Sequence, residues 1–501
     1  MRPGWRAALV VAMATLAGCA HVREGFTCPA RGGRPWRELT SDHFVLSTDR
    51  QSRAARALVE ELEVARAALV AAAFRGGVDP PGRLHVVAFD RREELADFVD
   101  DEVVHGWFGA DLDGEPFVVM AGVTFRDVHE IVTHELAHQL AATLFVRQPR
   151  WFSEGVATYL ETVTVDGDRV LLGAASRHRL AEASVFRASS AQLFAWAGEI
   201  EPRYYGRAWL LVHFLVNRRG PRFSAFQVRL SRAEEPAAAW AAQFPEYDPR
   251  QPGALERLDG DLGGYAGSGP YTVLSLPFER PEVNPSERLL DASEVHALHL
   301  SIPSRDPDAR PGDRDAEVAE ALREDPGHPT ALALKARRLP PAERVRLARE
   351  AVATHPRSWR AWAFLGAALR GGDREARLEA LRRSVELAPE NPRALDALAR
   401  ELVRAGSGEE ALPLARRAIA RAPWNAAAFD TAAAASAALG RCADALHLQQ
   451  RAVDLLADEL PAERRQEVVR TLDTYRARCG QPQRPVPAPG EEAQGSRTSS
   501  P

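Results

Sequence analysis

Three prolines in the second half of the 501-residue chain recur at an almost constant spacing. Pro356, Pro389 and Pro423 lie 33 and 34 residues apart, and each of them follows an apolar, alanine-containing stretch. Because proline cannot continue a helix, each one marks a point where a helix ends. A period of this length is typical of stacked helical hairpins, which bury their apolar faces only against their neighbours. The spacing therefore predicts an all-α array over residues 314–479.

The residues between these prolines have the sizes that close helix packing requires. Small and apolar residues recur through one unit and again in the next, at Leu398, Ala399, Gly406, Ala411, Ala418, Ala433, Gly440, Ala445 and Ala452. The pattern resembles the tetratricopeptide repeat. It predicts about three clear repeats, a degenerate one before Pro356 and a capping helix near 463–478. The resemblance implies a protein partner for this array.

A second pattern, in the first half of the chain, indicates chemistry. Residues 134–138 read HELAH, which fits the pattern H-E-x-x-H. Helix periodicity places His134 and His138 on one face, where two imidazoles can reach one tetrahedral ion. Glu135 lies beside that ion, in place to take a proton from the attacking water. A catalytic zinc site usually has a third protein ligand, and Glu154, which opens a second helix after a short turn, would lie over the histidines.

The two motifs HELAHQ and WFSEGVATYLE resemble the zinc helix and the downstream glutamate helix of gluzincin peptidases. The compact size is similar to that of the bacterial peptidase-MA-like proteins, and the resemblance spans about residues 36–250. It implies a zinc (Zn²⁺) cofactor held by His134, His138 and Glu154. It also implies Glu135 as the general base of peptide-bond hydrolysis.

The same resemblance implies a downstream tyrosine that stabilises the oxyanion. Tyr205 opens the next helix at a fitting distance, Tyr204 is its rival and His213 is a weaker alternative. Thr158 follows Glu154 by one helical turn and is a candidate supporting partner of the site.

Substrate specificity does not follow from the resemblance. No G-x-M-E-N-like exopeptidase motif precedes the zinc helix, so aminopeptidase specificity is not implied. The sequence predicts a zinc metallopeptidase, an endopeptidase that acts on a peptide or protein substrate. The alternative is a non-catalytic envelope scaffold or assembly lipoprotein that acts through its repeats; the intact Glu135 favours the peptidase.

The N-terminus resembles a bacterial lipoprotein signal. A basic start is followed by the apolar run 7–17 and by Leu-Ala-Gly-Cys, which resembles a lipobox ending at Cys19. We therefore predict a signal peptide over residues 1–19, acylation of Cys19 and a tether over residues 20–35. The lipid would anchor the chain in the bacterial cell envelope, and Ala20 favours the outer membrane, facing the periplasm.

The remaining cysteines fit an exported protein. Cys442 and Cys479 flank the last predicted helical hairpin and are predicted to form a disulfide, because the compartment outside the cytoplasm is oxidising. Cys28 lies in the predicted tether and is left over. The formal net charge is −5, so no nucleic-acid partner is predicted.

The fold class follows from the order of these elements. We predict an α+β domain over residues 36–250, with a small mixed sheet and a helical zinc site, followed by the repeat solenoid. The predicted strands are 43–48, 84–89 and 116–120, and the predicted helices are 52–74, 92–99, 127–145, 152–162 and 204–218. Glycines and prolines predict a connecting region over residues 251–313 with at most short strands, and residues 480–501 are predicted to be disordered.

Overall fold

The structure is a computed structural model of the chain. It describes residues 27–73, 83–98, 106–110, 116–121, 125–145, 148–185, 188–196, 202–232, 234–269, 271–302, 311–456 and 462–479. Cys19, the predicted signal peptide and the predicted tail 480–501 lie outside these residues. None of the described helices combines the length and the apolarity that crossing a lipid bilayer requires.

The strands form two sheets. They are β1 (Arg37–Thr40), β2 (Phe44–Thr48), β3 (Leu84–Phe89), β4 (Gly106–Ala110), β5 (Pro116–Ala121), β6 (Thr164–Asp166), β7 (Arg169–Leu172), β8 (Leu274–Pro277) and β9 (Ser286–Leu289). Six of them form a sheet in the order β4-β5-β3-β2-β1-β9, in which β2, β3 and β5 are parallel and the other pairs are antiparallel. The predicted small mixed sheet is confirmed, with β1, β4 and β9 as strands that the sequence did not predict.

Helices cover both faces of this sheet. The helices of the first part of the chain are α1 (Ser52–Ala73), α2 (Phe125–Leu144), α3 (Arg150–Leu160), α4 (Arg177–Val185), α5 (Ser190–Phe194), α6 (Pro202–Ser231), α7 (Pro236–Gln243), α8 (Ala254–Ala266) and α9 (Ala292–Ser301). Successive side chains of β3 point to opposite faces of the sheet. Val86 and Ala88 lie in the core shared with α1, α2, α3 and α6, whereas Val87 and Phe89 lie in a second core with Val295 of α9. The sheet is therefore a layer between two sets of helices.

The second part of the chain is an array of hairpins. Its helices are α10 (Pro311–Glu324), α11 (Pro329–Ala336), α12 (Pro341–Thr354), α13 (Trp359–Ala368), α14 (Arg374–Leu387), α15 (Pro392–Arg404), α16 (Gly408–Arg421), α17 (Ala426–Ala438), α18 (Cys442–Asp454) and α19 (Ala462–Cys479). The second helices of the hairpins, α12, α14, α16 and α18, begin 33, 34 and 34 residues apart. Asn391 caps α15 by accepting a hydrogen bond from the backbone of Ala394, and Gly406 ends that helix at a φ of 83°. The predicted helical period and the predicted capping helix are confirmed.

The predicted connecting region, as far as residues 251–302 describe it, is instead part of the first domain. β9 pairs with β1 at the edge of the main sheet, β8 pairs with β7, and α9 covers one sheet face. The 13-residue helix α8 runs through three glycines that were expected to break it. Leu258, Leu262 and Tyr265 of α8 are buried in the main core, so burial of one helix face outweighs the low helix propensity of glycine.

The last part of the predicted tether, residues 27–35, is packed against the folded chain and does not form a free linker. Cys28 is buried as a free thiol, and Arg31 forms an ion pair with Glu320 of α10. Trp36 packs edge-on against Phe89, with ring centroids 5.4 Å apart. Residues 27–36 are therefore packed against the folded chain, because a buried thiol, an ion pair and an indole hold them there.

Replacing Gly263 of α8 by alanine is expected to stabilise the protein. Gly263 is exposed in a helix interior, and a Cβ there would meet no atom within 4 Å. Alanine should raise the free energy of unfolding by about 0.5–1 kcal/mol, seen as a higher midpoint in thermal and urea denaturation. The matched control is Gly253→Ala, at a φ of 73°, which should lower the midpoint because an L side chain strains that conformation. A lower midpoint for Gly263→Ala would contradict the packing of α8.

Candidate metal centre

The two histidines of the HELAH motif project from one face of α2. The opposite face of α2 carries Leu136 and Leu140, which are buried in the main core and fix the helix against α1 and α3. The Nε2 atoms of His134 and His138 lie 3.0 Å apart. The two imidazoles therefore point at one position, which is the arrangement expected of histidines four residues apart.

Glu154 of α3 completes a group of three. Its Oε2 atom lies 3.4 Å from the Nε2 atom of His134 and 3.4 Å from that of His138. This oxygen is buried and has no hydrogen-bond partner among the described residues. Ligand atoms around a tetrahedral zinc ion with bonds of about 2.1 Å lie about 3.4 Å apart. The donor types and the two separations from Glu154 therefore fit such an ion, and the 3.0 Å between the two Nε2 atoms is shorter than that spacing.

Close packing of α3 against α6 positions Glu154. A Cβ atom at Gly155 would lie 2.8 Å from the carbonyl oxygen of Ala208 and 2.7 Å from Cγ2 of Val212. Only glycine allows α3 to approach the backbone of α6 this closely. The glycine after Glu154 thus sets how deep that carboxylate sits.

A second layer of polar groups orients the histidines. His134 donates from Nδ1 to Glu161 of the α3 C-cap, at 2.7 Å, and Arg179 of α4 holds Glu161 with hydrogen bonds of 2.9–3.1 Å. The Nδ1 atom of His138 lies 3.2 Å from the hydroxyl of Ser153. With each Nδ1 engaged in this way, the Nε2 lone pairs are directed at the shared position.

The charges around this position favour a cation. Burial alone would lower the pKa of His134, but the nearby carboxylates of Glu154 and Glu161 outweigh burial and raise the pKa to about 10. Burial would raise the pKa of the Glu154 carboxyl, but the neighbouring imidazoles hold it well below its usual range. The Glu154 carboxylate, which faces two buried ring nitrogens, contributes to both shifts. A proton or a metal ion is stabilised there.

Glu135 and Tyr205 border the same position. The charge of Glu135 acts on both His134 and Tyr205. The ring centroid of Tyr205, on α6, lies 6.3 Å from that of His134, and Arg150 donates a hydrogen bond to the Tyr205 hydroxyl. Burial and the charges of Glu154 and Glu135 raise the pKa of Tyr205, so its hydroxyl keeps its proton near neutral pH.

The alternatives considered for the tyrosine lie elsewhere. Tyr204 stacks on Trp196 with ring centroids 5.0 Å apart and, among the described residues, has no ring contact with His134, whereas Tyr205 has one. His213 is buried in another network, where its Nδ1 accepts from the hydroxyl of Tyr265 at 2.6 Å and its Nε2 donates to the carbonyl of Gly173 at 3.2 Å. The structure therefore brings Tyr205, and neither alternative, to the group of three.

Two supporting residues differ from the sequence interpretation. The hydroxyl of Thr158 donates to the backbone carbonyl of Glu154 at 2.7 Å and does not support the carboxylate. The supporting carboxylate is Glu161, which the sequence analysis did not single out. Glu161 lies seven residues after Glu154, which is two helical turns along the same face, so the sequence could have indicated that it lies near the histidines. The role of Arg179 could not be predicted from the sequence, because it depends on how α4 packs relative to the end of α3.

Cys442 is disulfide-bonded, and α18 packs against α19, which ends at Cys479. The side chain of Cys479 lies outside the described residues, so the pairing of Cys442 with Cys479 stays a prediction. Acylation of Cys19 stays a prediction for the same reason.

No protein-family model and no curated protein matches the chain. Solved structures similar to it include MamA (residues 41 to the end) from Desulfovibrio magneticus RS-1, at 20% identity and a TM-score of 0.27, covering 30% of this chain and 84% of that chain. YrrB, a TPR protein with an unusual peptide-binding site, is 20% identical, with a TM-score of 0.26 and coverages of 35% and 89%. TTC0263, a thermophilic TPR protein in Thermus thermophilus, is 20% identical, with a TM-score of 0.27 and coverages of 32% and 90%.

Proposed function

We propose that this protein is a zinc-dependent peptidase. The observation that carries the proposal is the convergence of the Nε2 atoms of His134 and His138 on Oε2 of Glu154, a buried oxygen without a hydrogen-bond partner among the described residues. A buried carboxylate oxygen facing two ring nitrogens is costly unless a cation occupies the position between them. A proton on one imidazole would neutralise the charge of the Glu154 carboxylate, but a zinc ion would bind all three donor atoms at once.

The residues around the three ligands would divide the chemistry. Zinc, when bound, would lower the pKa of its water to about 7 and polarise the substrate carbonyl. Glu135, next to His134 in the chain, would accept the proton of the attacking water and pass it to the leaving amine. Tyr205, which keeps its proton near neutral pH, would donate a hydrogen bond to the oxyanion.

The second layer would hold the ligands ready for this reaction. Glu161 accepts from Nδ1 of His134 and is itself held by Arg179. A carboxylate behind a ligating imidazole fixes its tautomer and strengthens it as a ligand. The absence of an exopeptidase motif from the sequence supports cleavage at internal bonds of a peptide or protein substrate.

Further parts of the proposal concern the place and the partners of the enzyme. We propose that acylated Cys19 anchors it to the bacterial cell envelope, at the outer membrane facing the periplasm. We also propose that the repeat array over residues 314–479 binds a protein. The lipobox-like sequence and the hairpin period support these statements.

A peptide library tests the activity. The purified protein, loaded with zinc, should cleave internal bonds of a mixed peptide library, as read by mass spectrometry. A chelator should stop the cleavage and added zinc should restore it. Cleavage that continues in the chelator would contradict the proposal. Zinc binding without cleavage of any peptide would instead support a scaffold that acts through its repeats.

Glu161→Gln is expected to weaken zinc binding by about 10–100-fold, because glutamine carries no charge to strengthen His134 as a ligand. Competition against a chromogenic chelator would measure the dissociation constant. Glu256→Gln is the matched control, since Glu256 is exposed on α8, and it should leave zinc affinity unchanged. If Glu161→Gln and Glu256→Gln bind zinc with equal affinity, Glu161 does not support the metal centre.

A further inference from the structure

The repeat array contains a cavity of about 480 Å³. Helices α11, α13 and α15, the first helices of three successive hairpins, supply most of its wall. We call this cavity the arginine groove, because eight of its lining residues are arginines and only one, Asp396, is acidic. Its size is that of sites that bind small ligands or peptide segments.

Acidic neighbours offset only part of this charge. Asp396 pairs with Arg400 and also accepts from the hydroxyl of Thr431 at 2.6 Å. Glu401, which is buried, lies 2.7 Å from Arg377 and 3.4 Å from Arg404. These two carboxylates are therefore already used within the protein.

Three other arginines of the groove have no such partner in the described part of the chain. Arg337, Arg344 and Arg370 form no ion pair with a carboxylate of the described residues. Arg337 and Arg370 are exposed, and the buried Nε of Arg344 has no hydrogen-bond partner in the described part of the chain. Burial lowers the pKa of Arg377, and the positive charges of Arg370 and Arg404 lower it further. The groove thus has excess positive charge that an anionic ligand would neutralise.

Apolar residues lie between these arginines. Phe364 and Leu334 are half-buried on the groove wall, and the guanidinium of Arg360 lies 4.8 Å from the ring centroid of Trp359. A wall that alternates cations with apolar side chains matches a chain that alternates carboxylates with apolar side chains.

We propose that the arginine groove binds an extended acidic segment of a partner protein, whose carboxylates pair with Arg337 and Arg370 and whose apolar side chains contact Phe364. The net charge of the whole chain is −5, so the long-range attraction that concentrates nucleic acids is weak here, whereas a short acidic segment needs only the local charge. This binding is independent of the proposed hydrolysis, because no groove residue belongs to the metal centre.

Fluorescence anisotropy with the full-length protein tests the proposal. The probe is a labelled peptide that alternates glutamate with leucine, compared with its glutamine counterpart and with a single-stranded RNA of equal charge. We expect the glutamate peptide to bind, the glutamine peptide to bind about tenfold more weakly, and added salt to weaken binding. Arg337→Glu/Arg370→Glu should weaken binding about tenfold or more.

The matched control is Arg349→Glu/Arg357→Glu, which makes the same change in net charge at exposed arginines outside the groove. It should bind the glutamate peptide as wild type does, as should the variant Glu135→Gln. Equal binding of the two peptides, equal loss in both double variants, or tighter binding of the RNA would each overturn the proposal. Circular dichroism would show that the variants keep their helices.

Discussion

Glu135→Gln is expected to lower the rate of peptide cleavage by about 10²–10⁴-fold while zinc stays bound. Glutamine has nearly the shape of glutamate, but it cannot accept the proton of the attacking water. His134, His138 and Glu154 are unchanged in this variant, so the three proposed zinc ligands stay intact. Single-turnover kinetics on a peptide found by the library experiment would measure the rate, and metal analysis would measure the zinc.

The matched control for this variant is Glu130→Gln. Glu130 is exposed on the same helix, α2, one turn before His134, and the change in charge is identical. It should cleave the peptide at the wild-type rate. Cleavage by Glu135→Gln at a rate similar to that of this control would remove Glu135 from its proposed role as general base.

His138→Ala should remove zinc and activity together. The variant leaves one imidazole and one carboxylate at the position, and two ligands hold zinc far more weakly than three. Metal analysis after dialysis should find about one zinc ion per chain in the wild type and almost none in the variant. Peptide cleavage should fall to the background rate.

His447→Ala controls for the loss of a histidine. His447 is exposed on α18 of the repeat array and is remote in sequence from the metal centre. This control should keep its zinc and its activity. If wild type and His138→Ala contain the same amount of zinc, the ion is bound elsewhere or not at all, and the proposed metal centre fails.

The sequence predicted the parts of the site that depend on local geometry. His134 and His138 share a helix face because of their spacing of four residues, and the helix α3 begins near the predicted place. Glu161 and Arg179 depend instead on how α3 and α4 pack together, which periodicity alone does not specify. Tyr205 and Tyr204 are adjacent in the sequence, and only the orientation of α6 separates them.

In the fold, too, the elements set by local sequence pattern were predicted, whereas those that depend on distant contacts were not. The predicted strands over 43–48, 84–89 and 116–120 agree with β2, β3 and β5 within one residue at either end. β1 and β9 were missed because each has four residues, and β9 pairs with a strand about 250 positions earlier. In α8 the glycines indicated a break, but they lie on the exposed side while Leu258, Leu262 and Tyr265 hold the helix against the core.

The packed segment at Cys28 limits how far the protein can stand from a membrane. The burial of Cys28 and the ion pair between Arg31 and Glu320 attach this segment beside the first helix of the repeat array. If Cys19 carries a lipid, the chain between Cys19 and Cys28 reaches at most about 30 Å when fully extended. This segment is then shorter than many domains are wide, so the proposed metal centre would lie close to the bilayer surface and would reach substrates only within the same thin layer.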